Sequence, residues 1–303
     1  MPSVTRRGFS LIEMMIALTI LGIVGLATYR VFRTNMRAFQ SQTQRVDLSQ
    51  NLRGAAALMA AELRMLDASE GDIKAMASDS IRIRAMRQLA VICTAPVMGG
   101  TQPLTAITMV VRGSGPGDSL FFGSRTFSTA TDSLLVSYEG STSDRKDDTW
   151  LPAKLTAVVA QNCTDTNKPG QKLTFSLPTL VAPQANVNGN ITVGAPVWGF
   201  EYNVTYRSYL DPSDNKWYLA LRNASGIQPI IGPLTGSGGL AFTYYDSTGV
   251  VTAVTTRVAL IRIRVVGQTA QAVFAQAGGA TNPTDSMTTW VSLRNNLRRP
   301  VGQ

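Results

Sequence analysis

Few residues in this 303-residue chain can do covalent or acid–base chemistry. It has no histidine, which excludes a Ser-His-Asp triad, a Cys-His pair and any His-ligated metal site. A general base would have to be a carboxylate, Lys or Tyr. Carboxylates cluster twice. Asp144, Asp147 and Asp148 stand beside Arg145 and Lys146, and Asp211, Asp214 and Asn215 form a second group. Paired carboxylates can cleave glycosides or hold calcium. Both groups sit in turn-like sequence, where Asp and Asn are favoured because they hydrogen-bond the backbone. Neither catalysis nor a cofactor is therefore expected, and Asp211, Asp214 and Asn215 stand only as calcium candidates. Gly113-Ser-Gly-Pro-Gly117 lacks the Lys and Ser/Thr of a phosphate loop, which argues against nucleotide binding there.

Cys93 and Cys163 are too few for an all-cysteine zinc site or an iron–sulfur cluster within one chain. In an oxidising compartment they can form one disulfide closing a loop of about 70 residues, worth on the order of 4 kcal/mol by loop entropy. The alternative is two buried free thiols. The formal net charge is +9, but no run of five or more basic residues occurs. Scattered Lys and Arg then serve solubility, and nucleic acid is not an expected partner.

The remaining candidate is a single carboxylate in an apolar setting. Residues 1–8, MPSVTRRG, are short and polar, and from Met14 to Tyr29 no residue is charged. The stretch 9–32 is long enough to span a membrane, and no small-residue cleavage site closes it as in an ordinary secretory signal. Glu13 lies near its start. An ionised acid in hydrocarbon costs several kcal/mol unless paired, which marks a functional residue, although a position near the interface would let it reach water. Arg30, Arg33, Arg37 and Arg45 follow on what should be the outer side, against the positive-inside tendency.

Gly8-Phe9-Ser10-Leu11-Ile12-Glu13 resembles the prepilin motif of type IV pilins and type II secretion pseudopilins. The resemblance combines a basic leader ending in Gly, an aromatic residue next, a carboxylate five positions into the mature chain and an apolar helix. It implies cleavage between Gly8 and Phe9 by a prepilin peptidase on the cytoplasmic side, N-methylation of Phe9, and a role for Glu13 in filament entry. It also implies a single pass through the inner membrane with the head outside. The implied partners are other major and minor pilins, an inner-membrane assembly platform and membrane lipid.

Beyond the apolar stretch, Leu48, Leu52, Ala55, Met59, Leu63 and Leu66 recur at three and four, one face of a helix. No proline interrupts residues 9–66, which predicts one helix of roughly 87 Å at 1.5 Å per residue. Past Gly71 the period becomes two. Short β runs are expected at Ile81–Arg84, Leu89–Cys93, Ala106–Val111, Leu134–Glu139, Leu155–Ala160 and Lys172–Leu177, separated by Pro/Gly loops. Trp198, Phe200, Tyr202, Val204 and Tyr206 alternate and are expected to share one buried face. Asp211–Asn215 reads as a turn into a returning strand, Lys216–Arg222, with strands at Leu240–Asp246 and Arg257–Val266 and a basic tail, Thr289–Arg299.

The last third resembles the heads of PilW-type minor pilins and J-type pseudopilins, most closely in the hairpin phrase Trp217-Tyr-Leu-Ala-Leu-Arg222. The chain is thus expected to be α+β, with a long N-terminal helix packed on a mostly antiparallel β head: leader 1–8, transmembrane half 9–32, amphipathic half 33–68, head 69–303. The expected function is that of a minor pilin in priming or capping a type IV pilus. The alternatives are a J-type pseudopilin and, more distantly, an anchored extracytoplasmic enzyme or a DNA-binding pilin.

Overall fold

A computed structural model of the chain describes residues 10–97, 106–112, 122–123, 126–140, 143, 148–164, 166–177, 189–274 and 279–294. Ala, Leu, Met and Ile dominate the first fifty of these, with no proline, and they form one helix, α1 (Leu11–Arg64). Ser10 caps it: its Oγ accepts the Glu13 N–H at 3.2 Å. The helix ends two residues before the expected Leu66, in a turn stapled by Asp67. Asp67 Oδ1 accepts the N–H groups of Ser69 (3.0 Å) and Glu70 (3.4 Å).

Fifteen strands follow among the described residues. The first seven are β1 (Ile73–Met76), β2 (Ser80–Val97), β3 (Ile107–Arg112), β4 (Phe122–Gly123), β5 (Asp132–Tyr138), β6 (Thr149–Ala160) and β7 (Gly170–Ser176). Then come β8 (Pro196–Asp211), β9 (Lys216–Asn223), β10 (Gly226–Leu234), β11 (Leu240–Tyr245), β12 (Leu260–Gln268), β13 (Val273–Phe274), β14 (Ala280–Thr281) and β15 (Thr284–Ser292). All pairings are antiparallel. The fold is α+β, a long helix on a mostly antiparallel β head.

The head has two parts that share β2 and β8. In the first, α1 lies on a sheet of β1, the first half of β2, the second half of β8, and β9, β10, β12, β11 and β15. Its core joins Leu48, Leu52, Ala55, Met59 and Leu63 of α1 to Ile81 and Ile83 of β2, Val204 and Tyr206 of β8, and Ile261, Ile263 and Val265 of β12. Gly267 lets the helix come close, since a Cβ there would lie 2.8 Å from Leu48 Cδ1. The helix is also tied by polar contacts: Asn51 Nδ2 donates to the Gly232 carbonyl at 3.1 Å, and the Gln271 N–H donates to Gln44 Oε1 at 3.3 Å.

In the second part, β2, β3, β7, β6, β5 and β8 pair in that order, and β8 pairs back with β2. Six strands therefore close on themselves and leave no edge, which is how a small sheet avoids exposing unpaired backbone. The interior is one cluster drawn from all six, including Ile92, Met109, Val136, Leu151, Phe175 and Val197. This barrel is inserted into the α1-packed sheet between the two halves of β2 and β8.

Two sequence expectations change here. Ile81–Arg84 and Leu89–Cys93 are a single strand, β2, which runs from one core into the other. The aromatic stripe on β8 is not one buried face: Val197, Phe200, Val204 and Tyr206 are buried, Trp198 is half-buried and Tyr202 is exposed. The cause is a bulge, with register shifting opposite Ile83/Ala85 and Asn203 in the left-handed region at φ 59°. Strands β10 and β15 lie where no run of period two was expected.

Candidate assembly interface

The N-terminal half of α1 is exposed along its whole length. Its large apolar residues are exposed, Leu11 at 80%, Leu21 at 67%, Ile23 at 70% and Phe39 at 66%. It is long and apolar enough to cross a membrane. The first buried residue of the helix is Leu48, about two thirds of the way along it. An apolar surface of this size must be covered by lipid or by other chains.

Glu13 stands in the first turn of this helix, three residues after the capping Ser10. Its side chain is exposed beside the positive end of the helix dipole, open to a cation outside the chain. Gly8 and Phe9 lie outside the described residues.

Where the helix ends, buried charge locks the head to it. Arg84 reaches the buried Asp72 through Nε at 2.6 Å and through Nη2, and lies over the Phe200 ring at 5.1 Å. Arg87 donates from Nη1 to both oxygens of Glu62 on α1 at 2.9 Å and from Nε to Glu201 Oε2 on β8 at 3.3 Å. Burial pushes the neighbouring Tyr206 phenol well above its ordinary range, and the Glu62 charge adds to this. For Arg87 burial alone would lower the pKa, and Glu62 and Tyr206 together more than reverse it. The sequence gives no local signal for these pairs, because their members are separated in the chain and the partner of each Arg is set by the strand pairing.

Cys93 on β2 and Cys163 just after β6 form a disulfide, with Cα atoms 5.6 Å apart. Both are buried beside Val110, so the bond pins the rim of the barrel. The calcium candidates sit in the β8–β9 turn. Asp211 Oδ1 accepts the Ser213 N–H at 2.9 Å, Asp214 Oδ1 accepts the Lys216 N–H at 3.1 Å, and Asp214 Oδ2 accepts the Tyr218 hydroxyl at 2.6 Å. Asn215 supplies the left-handed residue at φ 55°. These carboxylates build the turn. Among the described residues no group of three or more Cys, Asp or Glu is placed to hold a metal ion. Asp144, Arg145, Lys146, Asp147 and Gly113–Gly117 lie outside the described residues.

Residues 5–29 match the family model for the prokaryotic N-terminal methylation motif. The motif and the uncovered apolar helix behind it mark a type IV pilin-like or pseudopilin protein. Such a motif implies processing by a prepilin peptidase and assembly with other pilins, and the helix is consistent with membrane anchoring. No curated protein and no solved structure matches the chain.

Proposed function

We propose that the chain is a PilW-type minor pilin: cleaved between Gly8 and Phe9, N-methylated on Phe9, held in the inner membrane by residues 9–32, and then drawn into a type IV pilus where it primes or caps the filament. Its role is structural, without catalysis or cofactor. The observation that carries this is the Gly8–Glu13 motif at the head of a helix left uncovered from Leu11 to Phe39. In a staggered array the freed Phe9 ammonium meets the Glu13 carboxylate of a neighbour, and in low dielectric that attraction is far stronger than in water. The inserted barrel supports a terminal or occasional position, since it adds bulk beside the α1-packed sheet.

The test is deletion of the gene followed by shearing of surface filaments. Loss of filaments, restored by the intact gene but not by Gly8→Val, is the expected result. Intact filaments with loss of exported proteins from the medium would move the chain to a J-type pseudopilin of type II secretion.

A further inference from the structure

On β11, β12 and β15 the side chains alternate between two faces. Tyr244, Ile261, Ile263, Val265 and Val291 point into the core shared with α1. Their neighbours therefore point away from the helix. Strand pairing sets Tyr245 beside Leu260 and Arg262 beside Trp290 on this outer face. Val251 bridges to Tyr245 from the other side, so it joins the same face. Trp290 is 51% exposed and Val251 64%. The Tyr245 and Trp290 rings lie 5.5 Å apart. The Arg262 guanidinium lies over the Trp290 ring at 5.6 Å, and its Nη2 donates to Thr243 Oγ1 at 3.1 Å. Arg264, two residues on, is exposed on the same face. The face thus has an apolar and aromatic centre with two guanidiniums at its side.

We propose that this outer face docks a second protein, different from this chain, whose contact surface sets Asp or Glu around an apolar residue. Trp, Tyr and Arg in one exposed patch are the side chains that anchor protein interfaces. The charge on the face decides the partner's sign. From residue 240 to the end, the chain carries six Arg and only two carboxylates, Asp246 and Asp285. Asp246 Oδ1 is taken up by the N–H groups of Thr248 at 2.9 Å and Val250 at 3.0 Å. Asp285 pairs with Gly267, which faces α1. Among the described residues neither Arg262 nor Arg264 has an ion pair. A partner carboxylate would supply the missing counter-charge. A second copy placed face to face would bring four guanidiniums together, which disfavours self-pairing. A nucleic acid fits less well: two cations make a poor phosphate track, and Val251 and Leu260 offer a phosphate nothing. The inference goes beyond assembly through α1, because it uses the opposite side of the sheet. It holds whether the filament is a pilus or a pseudopilus.

The experiment places a photo-crosslinking phenylalanine derivative at Thr288, exposed on β15 beside Arg264, in the full-length chain in cells of its source. The same derivative at Thr156, exposed on the barrel, is the control. Crosslinked peptides are identified by mass spectrometry. The expected result is one protein captured from Thr288 and not from Thr156, through a peptide that carries Asp or Glu. Trp290→Ala should lower that yield by at least about tenfold, as loss of an anchor does. Arg262→Glu with Arg264→Glu should lower it by at least about fivefold. Reversing the partner's contacting carboxylates to Lys should then restore the yield, which a misfolded head would not allow. Equal capture from Thr156 overturns the inference, as does a yield indifferent to the charge reversal or a reversal that the partner's Lys does not rescue. Capture of a second copy of this chain, or of DNA, overturns it as well and assigns the face to that occupant. No crosslink from Thr288 in cells that make filaments leaves the face as solvated surface and sinks the proposal, while filament assembly through α1 stands.

Discussion

Arg87 Nη1 lies 2.9 Å from each carboxylate oxygen of Glu62, tying the strand that leads into the barrel to the helix that leads into the membrane. The same guanidinium reaches Glu201 on β8, so one cation bridges the two parts of the head and α1. The Arg87 and Glu201 side chains are 12% and 6% exposed, and Glu62 is 24% exposed. Removing the cation beside a buried carboxylate is costly, whereas neutralising the outer, better-hydrated partner is less so. Arg87→Met should lower unfolding free energy by about 3–5 kcal/mol and Glu62→Gln by about 1 kcal/mol, by denaturant titration of the detergent-solubilised chain. Equal, small losses would mean that the pair is screened and does not lock the barrel.

The helix was legible in the sequence because its signals are local: no proline, and the three/four spacing of Leu48, Leu52, Ala55, Met59 and Leu63, all buried against the sheet. Much of the strand content was legible from alternation, but not β10 or β15. The closure of the barrel was not, because it depends on β8 pairing with both β2 and β5 across long stretches of chain. Alternation also misleads at Asn203, where one inserted residue exchanges the faces of β8. Arg84 alternates with Ile81 and Ile83 in the sequence, yet it too is buried, paired with Asp72. The Glu13 position was readable from the motif, whereas the partners of Arg87 needed the fold.

Gly199 on β8 is closely packed against Gln88 and Phe127. A Cβ there would overlap Gln88 Oε1 and come within 2.6 Å of Phe127 Cε1. Gln88 cannot easily give way, because its Nε2 donates to the Thr126 carbonyl at 3.1 Å and to Asp132 Oδ2 at 3.2 Å. Gly199→Ala should destabilise by about 1–3 kcal/mol through overpacking. Thermal unfolding monitored by tryptophan fluorescence checks it, and an unchanged midpoint would show that the Gln88 site relaxes freely.

The Cys93–Cys163 bond closes a loop of 70 residues that includes β3, β4, β5 and β6. Constraining a loop of this length in the unfolded chain contributes on the order of 4 kcal/mol. The Cys93→Ser, Cys163→Ser pair should lose most of that, with the cost concentrated in the barrel. Hydrogen exchange should then accelerate in β3, β6 and β7 more than in α1 and β12. Uniform acceleration would mean that barrel and sheet unfold as one unit.

In the β8–β9 turn, the hydrogen bond from Tyr218 holds the Asp214 carboxyl below the ordinary carboxylate range, while the same bond pushes the Tyr218 phenol up to about 12. The signs are opposite. The depressed Asp214 adds stability above the ordinary carboxylate range, lost as pH falls through its folded value. The raised Tyr218 adds stability below the ordinary phenol value of about 10, lost as pH rises through the folded one. Tyr218→Phe should raise the Asp214 titration midpoint, read by carboxyl NMR, and remove the phenol step near pH 12. An Asp214 midpoint indifferent to Tyr218→Phe would assign the depression to the Lys216 N–H instead.

Glu13 separates membrane insertion from assembly. Its backbone N–H is capped by the Ser10 hydroxyl, so the first turn of the helix keeps its cap without the carboxylate. An acid beside hydrocarbon is stabilised by a cation from a neighbouring chain and gains little otherwise. Glu13→Ala should therefore leave membrane insertion unchanged, or raise it slightly, while filament incorporation falls at least about tenfold, a loss of roughly 1.4 kcal/mol or more. Fractionation of membranes against sheared filaments reads both quantities in the same cells. Normal incorporation of Glu13→Ala would leave the apolar surface from Leu11 to Phe39 as the sole driving force for filament entry.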